Sequence, residues 1–543
     1  MQVSTSHRGR AQRRITIAAA AATLFTIAAF GASSGASSKA TAASSSRPLV
    51  ADVGLAPSTL DPAEACNTYE LGILGSFYVR LTQYATKSGP GGTTQYDPAH
   101  IQLWLAKSLA ISKNRLVYTF ALRSGLKFPS GKPVNAAAVK YSFERVIKMN
   151  GCGVAFLADN RYTPPQIKSI ATPSALTVVI TLNKPDPNAL QNWAQPSAGI
   201  VDPSVVQAHG GVKANAINQW MTGHVAGYGP FLLKAYQPNK EAVLTANPGF
   251  FQQPASKVID MNFINSDSTL LLQAQSGNAD ITLFLSKQAV HSLTGNSCCT
   301  VILNPVSMYE MILLPNTVAP FNNLKFREAL IDAVPYQQIL SHIAFGYGTL
   351  YYGPWAPAVP WFDKSIEQPR STNMALALKL LQQSGVHPPV TLPFDVIIGD
   401  ATELQIATVV QAVWAQLGVH IQIHQMSPAA YVQEVEVTRK DASIQYDGPG
   451  VIAPDYQWGY DAQCNAAYNA GRICIPAADK LIAKLSHITD PAQRQTVINA
   501  ATRLWVADSP RIQVYGDVSA TVLSHRVTHY YFDHELDVRT WAR

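Results

Sequence analysis

The sequence predicts an α/β protein of at least two domains, on three observations. The chain has 543 residues, 47% hydrophobic and 14% charged, which is enough apolar material for a large core and more than one domain. Segments with a period of two alternate along it with segments of helical period. The clearest case is a strand-helix-strand unit. Leu392, Phe394, Val396 and Ile398 alternate, then Ile406, Val410, Val413 and Leu417 share one helical face, and Val419, Ile421 and Ile423 alternate again. Two strands joined by a helix are expected to run parallel.

At the amino end, Arg8, Arg10, Arg13 and Arg14 precede or open an apolar run from Ile15 to Phe30, and Ala40-Thr41-Ala42 follows as a small-residue cleavage site. This reads as a signal peptide over 1–42, then a disordered mature start over 43–47. The apolar run is short of the roughly 20 residues that span a bilayer. The formal charge of +7 also resides largely here: five of the positive residues lie in the first 42 and no acid does, so the mature chain carries +2. Without a basic footprint, nucleic acid is not an expected partner.

Leu116, Tyr118, Phe120 and Leu122 predict a strand, as do Leu176, Val178, Ile180 and Leu182. Between them Asn135 is placed to cap a helix with Val139, Phe143 and Val146 on one stripe. Tyr347 to Phe362 holds Gly353, Pro354, Pro357 and Pro360 with Trp355 and Trp361. It reads as a long loop of the kind that lines binding sites. Six cysteines in an exported chain can pair. Cys464 and Cys474 are the expected bridge, contributing roughly 2–3 kcal/mol. Bonding between the adjacent Cys298 and Cys299 would strain the backbone, so one of them is expected to join Cys66 or Cys152.

Longer strings then carry a resemblance. Trp104-Leu105-Ala106-Lys107-Ser108-Leu109, Tyr118 to Phe128, and Val139-Lys140-Tyr141-Ser142-Phe143-Glu144-Arg145 resemble the family 5 extracellular solute-binding proteins, the oligopeptide, dipeptide and nickel receptors of ABC importers. Leu60-Asp61-Pro62, Gly227 to Phe231, Asn247 to Phe251, Ala279-Asp280-Ile281 and Arg327-Glu328-Ala329-Leu330 continue the likeness in order.

That resemblance implies a two-lobed α/β periplasmic-binding-protein fold of cluster C type, with a hinge and an inserted subdomain. The first lobe would comprise 48–80, 225–310 and 509–543, the insertion 81–224, and the second lobe 311–508. It implies a secreted, periplasmic or extracellular monomer without cofactor or catalysis, which passes a peptide or other small solute to a membrane permease. The segment Gly450 to Tyr456 is similar to the one whose aspartate accepts a peptide's α-ammonium group, which puts Asp455 in that role. Gln457-Trp458-Gly459-Tyr460-Asp461 replaces the Asp-Pro that often follows in the family. Tyr446, Tyr456 and Trp458 are read as an aromatic wall, and Cys66 and Asn67 as ligand neighbours.

A metal chelate is the alternative solute. His420 and His424 share a strand face but stand roughly 13 Å apart, too far for one ion. For a hydrolase, no G-x-S-x-G follows the leader, the match at Gly31 to Gly35 lying within it, and His534-Glu535 lacks the second histidine of a zinc protease motif.

Overall fold

A computed structural model describes residues 47–65, 72–159, 165–466, 468–532 and 538–543. The leader, Cys66 and Asn67 lie outside the described residues. Strand β1 (Leu49–Val53) is buried along nearly its whole length. Next come β2 (Thr82–Ser88) and β3 (Thr94–Leu103), an antiparallel pair turned through Gly91 and Gly92 at φ 63° and 78°, values that glycine adopts without a Cβ penalty. Strands β4 (Ala106–Ile111), β5 (Val117–Leu122), β6 (Ile167–Ser174) and β7 (Thr177–Leu182) form a separate antiparallel sheet in the order β4-β5-β7-β6.

The alternation seen in β5 and β7 puts Tyr118, Phe120, Val178 and Ile180 on the buried face. There they meet Trp193, whose ring lies 5.1 Å from Tyr118 and 5.7 Å from Phe120. The helix Ala136–Met149 covers that face with Val139, Phe143 and Val146, and the Asn135 side chain accepts from Ala138 N at its start. One polar pair ties this helix to the segment after β1. Arg145 donates both terminal nitrogens to the two oxygens of Asp61, with side-chain exposures of 1% and 0%.

Farther along are β8 (Phe231–Gln237), β9 (Glu241–Ala246), β10 (Val258–Phe263), β11 (Ile281–Leu283) and the long β12 (Cys299–Leu313). Then follow β13 (Val390–Ile397), β14 (Val419–Met426), β15 (Ala442–Asp447), the second long strand β16 (Arg511–Ser524), and β17 (Tyr531–Phe532), which extends the β2-β3 pair. Among the described residues, ten strands make one sheet in the order β14-β13-β15-β12-β16-β11-β1-β10-β9-β8. It has two halves, bridged by the central antiparallel strands β12 and β16.

Pairing of β12 with β16 breaks at mid-length. Pro305 faces Val518 and Tyr309 faces Gly516, so three residues of β12 oppose Asp517 alone. Such an irregularity bends and unpairs a ladder locally. Gly516 also exchanges hydrogen bonds of 2.8 Å with Thr349, and a Cβ there would meet Pro357 at 2.8 Å. Strand direction follows from the pairings. β1, β10, β11 and β12 run one way, while β15, β13 and β14 run the other. The parallel strands of each half therefore point their carboxyl ends at the other half.

The expected strand-helix-strand unit is present: β13 and β14 are parallel, and the helix Ala401–Trp414 lies between them in sequence with Ile406 and Val410 buried. Ile398 falls past the end of β13 and is exposed. The tryptophans of the loop 347–362 pack against the protein itself: Trp355 is fully buried, donates from Nε1 to Thr502 Oγ1 at 2.7 Å, and packs edge-on to Trp361. One reading needs correction. Cys298 and Cys299 pair with each other. Cys299 opens β12 opposite Ser524, whereas Cys152, itself in a disulfide, precedes Gly153, whose N donates to Ala63 O at 3.0 Å. Cys464 and Cys474 are joined, with Cα atoms 4.3 Å apart.

Candidate functional site

In open α/β sheets, ligands bind in the crevice outside the carboxyl ends of the strands. Here two such ends converge over the irregular stretch of β12 and β16, and a polar cluster collects there. Tyr446, next to last in β15, donates from Oη to Asp517 Oδ2 at 2.9 Å. The same aspartate pairs with Lys287, just past β11, at 2.6 Å. Lys287 also reaches Tyr515 Oη at 3.2 Å and lies over that ring. So the two halves of the sheet are linked by one tyrosine-aspartate-lysine chain.

Two acids complete the cluster. Glu310 projects from β12, and Glu403 stands in the first turn of the helix after β13, where its Oε1 accepts from Tyr446 N at 3.2 Å. They are 3% and 2% exposed, and one oxygen of each, Oε2, has no hydrogen-bond partner among the described residues. Burial pushes the Glu310 carboxyl well above its usual range, and the charges of Glu403 and Asp400 push it further. Glu403 is raised to about 8, again first by burial and then by Asp400. Unpartnered buried carboxyls are costly unless a ligand satisfies them. A cationic group placed between them would return both to the charged form.

Of the residues singled out in the sequence, Tyr446 belongs to this cluster and is 42% exposed. Asp455 lies elsewhere. Its Oδ1 accepts from Asn188 Nδ2 at 2.6 Å and stands 3.9 Å from Arg494, so it links the helix Pro454–Asp461 to the region before β8. Tyr456 makes a neighbouring contact, donating to Ala155 O at 3.3 Å. Trp458 is buried, its Nε1 bonded to Asp479 Oδ1 at 2.7 Å and its ring 6.0 Å from Trp355. It packs in the core and forms no wall with Tyr446.

Glu310, Glu403, Lys287 and Asp517 were not legible as a site. Glu310 does interrupt an apolar stretch from Met308 to Leu314, which is a usable signal. Glu403 follows Asp400 by three residues, and that spacing reads as ordinary helix capping.

Residues 100–469 match the family described as bacterial extracellular solute-binding proteins, family 5 middle. A probable D,D-dipeptide-binding periplasmic protein, DdpA, of Escherichia coli (strain K12) is 26% identical over 492 residues, covering 89% of this chain and 90% of the relative. The glutathione-binding protein GsiB of Pectobacterium atrosepticum is 25% identical, covering 88% and 90%. Among solved structures, the periplasmic binding protein DppA of Helicobacter pylori in complex with the peptide STSA superposes with a TM-score of 0.76 at 19% identity, over 91% of this chain and 98% of that one. NikA of Staphylococcus aureus in complex with Ni(L-His)2 gives 0.70 at 20% identity, over 91% and 100%. These likenesses agree with the two-lobed α/β periplasmic-binding-protein architecture built above. With more than half its length inside the family match, the chain belongs to the family 5 bacterial extracellular solute-binding proteins, which are receptors and not enzymes.

Proposed function

We propose that the chain is the receptor of an ABC importer and takes a short peptide or peptide-like amine into the crevice between its two lobes. One observation carries this reading: the buried carboxyls of Glu310 and Glu403, each with one oxygen that has no hydrogen-bond partner among the described residues, lie where the carboxyl ends of both sets of strands converge. An ammonium group is the cation that a peptide would bring. The named ligands of the relatives, a D,D-dipeptide, glutathione and the peptide STSA, are of the same chemistry.

The lobes are taken as 48–80 with 225–310 and 509–543, and 311–508, with 81–224 inserted in the first. The broken pairing at Pro305 to Tyr309 falls close to that boundary. The contacts of Tyr446 with Asp517 and of Asp455 with Asn188 are those of a closed state, which ligand contacting both lobes would favour by differential affinity. Tyr446 faces solute in this reading. Asp455 and Tyr456 hold the lobes together.

The test is calorimetric binding of D-Ala-D-Ala, glutathione and trialanine, each free and N-acetylated, to the wild type and Glu403→Gln. Acetylation removes the ammonium, and the loss expected for the wild type is about 3–5 kcal/mol, a few hundred- to a few thousand-fold in Kd. The variant should lose much less on acetylation, since both changes remove one interaction. Affinity for the free amine should also rise from pH 6 to about 8 in the wild type, as Glu403 sheds its proton. Equal acetylation losses in both proteins would move the anchor elsewhere, and no binding of any of the three would reject peptide as the solute class.

A further inference from the structure

A second group of donors lies at the β14 edge of the sheet. Asp395 of β13 and His424 of β14 are register partners on adjacent parallel strands. Asp441 precedes the first residue of β15, which itself pairs with β13 beside Asp395. One donor atom from each of the three lies within 4.8 Å of the others. His424 Nδ1 is 3.5 Å from Asp395 Oδ1. Two ligand atoms each about 2.0–2.1 Å from one zinc ion are roughly 3.3–3.5 Å apart when tetrahedral, so the His424 and Asp395 pair already has the needed separation. Asp441 is half-buried and His424 exposed, so both can adjust.

A cluster of this kind is often a plain surface ion pair. Asp395 argues otherwise, because it is 1% exposed and, among the described residues, neither of its carboxylate oxygens has a hydrogen-bond partner. Buried carboxylates are as a rule paired, hydrogen-bonded or bound to metal, and a histidine at 3.5 Å is too distant to serve as a hydrogen bond. The remaining charged neighbours are Glu434, which acts on both aspartates, and Lys440, which acts on Asp441. Burial, with Asp441 and Glu434 adding to it and His424 opposing, raises the Asp395 carboxyl to about 6.

We propose that Asp395, His424 and Asp441 bind a first-row divalent cation, one imidazole nitrogen and two carboxylates being the donor set that zinc accepts with water in the remaining position. Bound there, the ion clamps the edge strand β14 to β13 and to the start of β15. This site is separate from the Glu310 and Glu403 cluster, and its occupancy does not depend on the solute.

The experiment is calorimetric titration of the metal-stripped full chain with zinc chloride, together with thermal melting with and without zinc, for the wild type, His424→Gln and Asp395→Asn. The wild type should bind one zinc through this site and melt higher with it. Either variant should weaken that binding by at least about 100-fold, the upper end of what loss of a mere supporting contact costs, and should lose the zinc-dependent rise in melting. Asp395→Asn should melt no lower than wild type without metal, because it removes an unpaired buried charge, and the exposed His424 ring can be replaced without disturbing the fold. No heat from zinc in the wild type overturns the proposal. So does one shared isotherm for all three proteins, which would assign the zinc to others of the 13 histidines.

Discussion

The buried pair Asp61 and Arg145 offers the sharpest test of how the inserted subdomain is held. Arg145 donates to both oxygens of Asp61, Asp61 Oδ1 also accepts from Ala63 N at 3.0 Å, and Tyr78 Oη donates to Leu60 O next door at 3.0 Å. With side-chain exposures of 0% and 1%, neither charge can turn to water. Removing one partner of such a pair costs about 3–5 kcal/mol, because the other is left charged and dry. Asp61→Asn keeps an acceptor for one guanidinium nitrogen, and Arg145 retains a contact to Met221 Sδ at 3.2 Å, so about 3 kcal/mol is expected. Asp61→Ala should lie near 5 kcal/mol. The double variant Asp61→Leu with Arg145→Met removes both charges and fills the space with apolar atoms, so it should cost far less than the two single changes together. Urea unfolding followed by tryptophan fluorescence is the assay, with Trp193 reporting from the same subdomain. A loss below about 1 kcal/mol for Asp61→Asn, or strict additivity in the double variant, would refute the reasoning that the pair is dry and mutually dependent.

Three further outcomes are expected. Glu367 is buried, accepts from Trp355 N at 3.1 Å, and is raised by burial from 4.5 to about 8; the folded chain then holds a proton the unfolded chain sheds between those values, so stability falls as pH rises from about 4.5 to 8. Glu367→Gln should flatten that slope by a few kcal/mol, with the remainder left to Glu403 and Asp447, and unchanged urea midpoints between pH 5 and 8.5 would disprove the assignment. Asp455→Ala breaks the contact to Asn188 without touching solute, so Kd should rise by about 10-fold or more for free and acetylated peptide alike, whereas a loss confined to the free form would make Asp455 the ammonium anchor. Replacing Cys464 and Cys474 by serine opens a short loop and should lower stability by about 2–3 kcal/mol in denaturant melts, and a variant as stable as wild type would show the bridge to be idle.

Local pattern was enough for much of the fold. The strands 117–122 and 177–182, the helix capped by Asn135, and the parallel pair around the helix Ala401–Trp414 all follow from spacing, because periodicity records which face of an element is buried. It does not record what that face is buried against. Trp355 is equally apolar in a crevice or in a core, and only packing against Thr502 and Trp361 decided for the core. Nor does spacing say that β12 and β16, some two hundred residues apart, would run together through both halves of one sheet and break their pairing midway. The candidate site depends on that pairing: Lys287, Glu310, Glu403, Tyr446 and Asp517 come from five separate segments. Each alone reads as a surface charge, a capping residue or a strand end. The sequence alone therefore determined the family resemblance and the α/β elements, since those rest on residue order and local period. Tertiary structure alone decided which charges meet, because desolvation and pairing depend on neighbours that only the folded chain brings within a few ångströms.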